Sequence, residues 1–163
     1  VSLITRGLVS FSVSKNKVIA ANLAQEGIEL ARLVRENNIA CDLLNGSGEW
    51  PWNNDPEGGR IERGRSFGVD AGDFQDMRCG SAVIRSPNLL LSCSSPLSFD
   101  GTYNYRSGTP TAFSRCVKII PEPDDSDPDI PRRDQMDVIS TVTWLERGGE
   151  KSLVLRERLY NWR

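Results

Sequence analysis

The sequence predicts an α+β fold, with one long N-terminal helix packed on an antiparallel β-sheet. Three observations predict it. Residues 1–38 contain no proline and only two glycines. Apolar residues between positions 19 and 34 recur at helical spacing. From residue 66 onward, short apolar runs alternate with turn signals, the pattern of a strand meander. A helix that must bury one stripe, followed by strands that must bury one face, packs as two layers. The 163 residues carry 20 Lys and Arg against 22 Asp and Glu, a net charge of −2. That length suits one domain, divided into a helix over 1–38 and a head over 39–163. Within the head, 39–65 reads as a loop and 66–163 as the sheet.

The helix comes first. At about 100° per residue, Ile19, Leu23, Gly27, Leu30, Ala31 and Val34 share one face, the expected helix–sheet packing face. Asn22, Gln25, Glu26, Glu29 and Arg32 populate the opposite side. Ile28 and Leu33 break the pattern, lying on either side of the apolar stripe. Ile4, Leu8, Phe11 and Val18 form a second apolar face, with Val9 and Val13 pointing elsewhere. Val9 to Ser14 also alternates with period two, as a strand would. No breaker separates it from the strong helical face, so one helix is expected from about 3 to 37. Val1 opens inside an apolar run with no capping residue before it, which reads as a fragment whose chain continued upstream. Arg6, Lys15 and Lys17 are the only charges in the first 20 residues, making this end locally basic.

Next comes a loop with aromatic anchors: Trp50-Pro51-Trp52, then Asn53-Asn54-Asp55-Pro56 and Gly58-Gly59. Its tryptophans are expected to pin the loop to the body; the alternative is a sugar-stacking or partner-binding loop. Asn45-Gly46-Ser47 matches the short glycosylation pattern. Strands are expected near 67–71, 88–92, 102–106, 112–120, 137–145 and 151–160. Phe113, Val117 and Ile119 alternate with Ser114 and Lys118. Val138, Val142 and Trp144 share a face with Ser140. Leu153, Leu155 and Leu159 oppose Arg156 and Arg158. Glu146-Arg147-Gly148-Gly149-Glu150 is a hairpin turn signal between the last two strands.

Chemistry is constrained by what is missing. With no histidine, Ser-His-Asp and Cys-His catalysis and every imidazole metal site are excluded. Glycine-rich phosphate loops and the GxSxG elbow are absent. No small set of carboxylates stands out as a catalytic pair, so the chain is not expected to be an enzyme and no cofactor is expected. Asp124, Asp125, Asp127 and Asp129 supply oxygen ligands of the kind calcium takes, but lack the glycine and terminal glutamate of an EF-hand. A solvated acidic loop over 122–129 is the expectation. No run of 18 apolar residues is present to span a membrane.

Cys41, Cys79, Cys93 and Cys116 contain no CxxC spacing. An even number at wide spacing suits two disulfides in an oxidising compartment. Four cysteines allow three connectivities. The expected one joins Cys79 to Cys93, closing a short loop within the sheet region, and Cys41 to Cys116, tying the helix end to a central strand.

Ala20-Ala21-Asn22-Leu23-Ala24-Gln25-Glu26-Gly27-Ile28-Glu29-Leu30-Ala31-Arg32, with Arg35-Glu36-Asn37-Asn38 after it, resembles the post-membrane half of the N-terminal helix in bacterial type IV minor pilins and pseudopilins. The far end is similar too: Thr109-Pro-x-x-Phe-x-Arg115, a Val138-x-x-x-Val-Thr-Trp144 strand, and Leu159-Tyr-Asn-Trp162. The resemblance implies a pilin-like fold and a structural role in a type IV pilus or type II secretion pseudopilus. It implies a leader and an apolar membrane half-helix upstream of Val1. It also implies an extracytoplasmic place in the bacterial cell envelope, first at the inner membrane and then in the filament. The implied partners are other pilin or pseudopilin subunits, with Ile4, Leu8, Phe11, Val18, Ile28 and Leu33 as the assembly interface. The alternative function is a secreted or surface binding module that uses the Trp50/Trp52 loop or the acidic loop.

Overall fold

A computed structural model describes residues 2–45, 66–68, 93, 95–123, 131–146 and 148–160. The helix α1 runs from Ser2 to Asn45 as one unbroken element, about 66 Å long at 1.5 Å per residue. It therefore continues past the expected end near residue 37. Six strands follow: β1 (Ser66–Phe67), β2 (Pro96–Phe99), β3 (Tyr103–Asn104), β4 (Thr109–Pro123), β5 (Pro131–Glu146) and β6 (Gly149–Tyr160). They form an antiparallel sheet of order β3-β2-β4-β5-β6, with β1 also paired to β4. The α+β arrangement of one N-terminal helix on an antiparallel sheet is thus present.

The last three strands match their expected positions and are longer than expected. β4 and β5 stay in register from Phe113↔Trp144 to Pro121↔Met136, and a shift follows between Pro121 and Pro123. Proline has no N–H to give to a ladder, which suits such an irregular strand end. β5 and β6 pair without a break from Gln135↔Tyr160 to Glu146↔Gly149. Their connection has only two residues, and Gly148 supplies the positive φ (102°) that such a tight turn demands. β2 was not foreseen. It pairs with β4 through Pro96↔Ser114, Ser98↔Pro110 and Phe99↔Thr109. The strand expected at 88–92 lies outside the described residues.

One sheet face is covered by α1. Period-two alternation sends Phe113, Arg115, Val117 and Ile119 of β4 toward the helix, with Met136, Val138, Ser140, Val142 and Trp144 of β5 beside them. Two apolar clusters result. Ala20, Leu23 and Ala24 pack with Leu97, Phe113, Val142 and Trp144. Ile28, Leu30 and Ala31 pack with Val117, Ile119, Met136, Val138 and Leu159. Burying each large aliphatic side chain contributes roughly 1.5–3 kcal/mol.

Between the clusters lies a polar waist. Gly27 faces Ser140, and the fully buried Arg115 sends Nη1 to Leu23 O (3.3 Å) and Glu26 Oε2 (2.8 Å). The missing Cβ lets α1 approach the sheet here: one built on Gly27 would stand 2.4 Å from Ser140 Oγ and 3.1 Å from Val117 Cγ2.

The cysteine pairing is corrected. Cys93 joins Cys116, with a Cα–Cα distance of 4.8 Å, which replaces both the Cys79–Cys93 and the Cys41–Cys116 expectations. The reason is β2. Its pairing on β4 brings the chain just before Pro96 alongside the segment just after Ser114. Cys79 and the side chain of Cys41 lie outside the described residues.

Candidate assembly surface on the long helix

The helix stripe read from the sequence lands where it was expected. Leu23, Gly27, Leu30 and Ala31 are buried and Ile19 is half-buried against the first cluster. The side chain of Val34 lies outside the described residues. Ile28 is a correction: it is 2% exposed, inside the second cluster, and is not available to another molecule. The sheet is wide enough to wrap more than a single narrow stripe. Ala20, Ala24 and Ile28, on the far margin of the stripe, meet it as well.

N-terminal to the sheet-covered segment the surroundings change. Ala20 is the first of the described helix side chains to be buried. Asn16 Nδ2 donates to Glu146 Oε1 at 3.1 Å, linking α1 to the end of β5. Phe11 is 71% and Val18 60% exposed. They are seven residues apart, so they lie within about 20° of one another around the helix. Lys15 is exposed beside them, and Lys17 is exposed about 100° further round the helix. Two large exposed apolar groups aligned on a helix face form a surface that favours contact with another apolar surface. The side chains of Ile4 and Leu8, expected on the same surface, lie outside the described residues.

Leu33 is exposed too, as expected, and Leu43 and Leu44 extend that apolar surface beyond the range foreseen. Leu44 follows Leu33 by 11 residues, within about 20° around the helix, a spacing the sequence already contained. Asn22, Gln25 and Glu29 separate the two apolar ends of this outer face.

Ionic contacts hold the helix against the last strand. Arg32 donates through Nε to Glu157 Oε1 at 3.0 Å and through Nη1 to Glu29 Oε1 at 2.8 Å. The Glu157 hydrogen bond, with the Glu157 and Glu29 charges, pushes the Arg32 pKa further up. Arg35 Nη2 donates to Tyr160 O. On the face away from α1, Asp137 is buried between two arginines. Arg158 donates to its Oδ1 (2.8 Å) and Oδ2 (3.1 Å), and Arg156 also donates to Oδ2. These bonds, Arg158 first, hold the Asp137 carboxyl down at about 2, against the opposing effect of burial. Sequence parity contained one of these signals: Arg115 shares its phase with Phe113 and Val117, whereas Asp137 is out of phase with Val138 and Val142 and meets Arg158 only through the β5–β6 register.

The other candidate sites are not in view. Trp50, Trp52, the Asn45-Gly46-Ser47 pattern beyond the helix end, and Asp124, Asp125, Asp127 and Asp129 lie outside the described residues. Among the described residues, no cluster of three metal-capable side chains occurs, and no helix is long and apolar enough to cross a membrane. The Asp100 carboxylate is occupied in its own turn, accepting from Ser107 Oγ, Thr102 N and Oγ1, and Asn104 Nδ2. No protein-family model, curated protein or solved structure matches the chain.

Proposed function

We propose that the chain is a structural minor subunit of a type IV pilus or a type II secretion pseudopilus, acting through helix-mediated assembly and not through catalysis. The observation that carries this reading is the division of labour along α1. Residues 20–31 are consumed by the sheet, whereas Phe11 and Val18 on the preceding turns stay exposed. In the proposed filament that uncovered strip packs against the helices of neighbouring subunits, each buried Å² of apolar surface contributing about 25 cal/mol. The α+β layout of a helix laid on an antiparallel sheet is consistent with a pilin-like head, as is the helix phrase from Ala20 to Arg32. In this reading the head sits outside the cytoplasm, where a disulfide persists, and an apolar segment upstream of Val1 anchors the subunit in the inner membrane before assembly.

The test is the double variant Phe11→Glu, Val18→Glu in the full-length gene. Both side chains are exposed, so the purified head should melt at the parent temperature. Incorporation into filaments, read by immunogold labelling of sheared fibres, should be lost. Normal incorporation would overturn the proposal.

A further inference from the structure

β6 is an edge strand of 12 residues paired to β5 without a bulge. Among the described residues nothing pairs with its outer edge from Gly149 to Glu157. It contains no proline; on the face away from α1 Ser152, Val154, Arg156 and Arg158 are exposed, Val154 at 56%, while on the helix face Leu153, Leu155 and Glu157 are half-buried and Leu159 is buried. Natural sheets blunt such edges with prolines, bulges or charged side chains, because an open row of N–H and C=O groups recruits another strand. The charges on β6 are of both signs, and their order is informative.

We infer that the β6 edge is a self-association surface that takes the β6 of a second copy of this chain. The two strands run antiparallel about a two-fold axis through Val154. A two-fold perpendicular to the sheet keeps each side chain on its own face, so only registers in which a residue faces itself are allowed. With Val154 on the axis, Leu153 faces Leu155, Lys151 faces Glu157, and Glu150 faces Arg158. The two-fold doubles each of these, giving four cross-strand pairs of opposite charge. Moving the axis to Leu153 keeps only Glu150 opposite Arg156. Moving it to Leu155 leaves no such pair.

The surroundings of Glu157 favour the same register. Glu29, Arg32 and Glu157 form a chain of contacts with two negative charges and one positive. Lys151 makes no ion pair among the described residues, and the partner's Lys151 would supply the missing positive charge on the same sheet face. The same symmetry reverses every direction within the sheet plane. The two copies of α1 would share one face of a continuous sheet with their N-terminal ends pointing opposite ways. The association stands independently of the filament reading. If both hold, the dimer and a bundle of parallel helices exclude one another, and the edge is a storage contact released before assembly.

The experiment is sedimentation velocity over a concentration series, on the 163-residue chain carrying Phe11→Glu and Val18→Glu so that the helix strip is silenced. A concentration-dependent shift from monomer to dimer is expected. Val154→Lys puts like charges on the axis and should weaken the dimer at least about tenfold, a change of about 1.4 kcal/mol. Its far-UV melt should be unchanged, because the position is exposed. Lys151→Glu should also weaken the dimer, and about 1 M salt should restore part of that loss by screening. Register is read by oxidation: Val154→Cys should cross-link to itself, while Ser152→Cys, which faces Arg156, should not. A monomer at every concentration, a dimer indifferent to Val154→Lys, or equal cross-linking by both cysteine variants would overturn the inference.

Discussion

Gly27 and Ser140 meet at a close approach of α1 to the sheet, with room for a hydrogen on Gly27 but not for a methyl group. Gly27→Ala should therefore destabilise, despite the gain of about 1 kcal/mol that alanine offers a helix interior. Overpacking costs about 1–3 kcal/mol, so a net loss of up to about 2 kcal/mol is expected in a denaturant melt. Ser140 Oγ is buried with no hydrogen-bond partner among the described residues. Ser140→Ala alone should be neutral or stabilising, and it should recover most of the loss in the double variant. Equal costs for Gly27→Ala with and without Ser140→Ala would show that the contact does not limit the approach.

Arg115 is wholly buried, while its partner Glu26 is about one-third exposed. Removing one member of a fully buried pair costs about 3–5 kcal/mol. Water reaches Glu26, so Glu26→Ala should cost less, about 1–3 kcal/mol. Glu26→Gln, which retains an acceptor, should fall between that variant and the parent. Urea unfolding at neutral pH reads all three. A Glu26→Ala midpoint equal to the parent's would mean that the carboxylate does not stabilise the buried guanidinium.

Asp137 sets an acid limit. Its carboxyl titrates at about 2 in the folded chain, against about 3.9 when unfolded. A lowered folded pKa means stability that is fully present above pH 4 and is lost as pH falls from about 4 to 2. The contribution is about 2 kcal/mol. Asp137→Asn should cost about that much at pH 7 and flatten the pH dependence of the melting temperature between 4 and 2. An acid limb unchanged by the substitution would assign the loss to other carboxylates.

Mass mapping of unreduced peptides should recover a Cys93–Cys116 cross-link. Cys41 and Cys79 are then each other's only remaining intramolecular partner, so a second cross-link between them is expected. The separation of 23 residues between Cys93 and Cys116 corresponds to a stabilisation of about 3 kcal/mol in the chain-entropy account. Cys93→Ser should lower the denaturation midpoint accordingly. Recovery of Cys79–Cys93 would refute the pairing.

The helix stripe and the three long strands were legible because each repeats a short period over many residues, and periodicity needs no knowledge of neighbours. Leu23, Leu30, Val117, Val138 and Val142 follow from spacing alone. Ile28 was misread because a stripe drawn on a helix says nothing of how wide the covering sheet is. The disulfide was out of reach for a related reason. It depends on β2, a four-residue strand opened by a proline, whose place is set by its pairing with β4 and not by its own pattern. Arg115 has the phase of the helix-facing residues of β4, whereas Asp137 is out of phase with Met136 and Val138, and arginine and aspartate are ordinarily solvated. Only the partner geometry, Glu26 on one face and two arginines on the other, makes that burial tolerable.

The helix–sheet layering also dictates an order of events. α1 is the first element in the chain, yet most of the strands it packs on come last, and its farthest partner is in β6: Arg32 and Glu157 are 125 positions apart. During synthesis Leu23 and Ile28 must wait in water until β4, β5 and β6 have all appeared. The three long strands are neighbours in sequence and can zip together by short-range closure, but the helix docks only after a long loop has closed. A nascent or half-folded chain therefore presents the whole apolar length of α1 at once, a period of risk for aggregation that ends with the final strand.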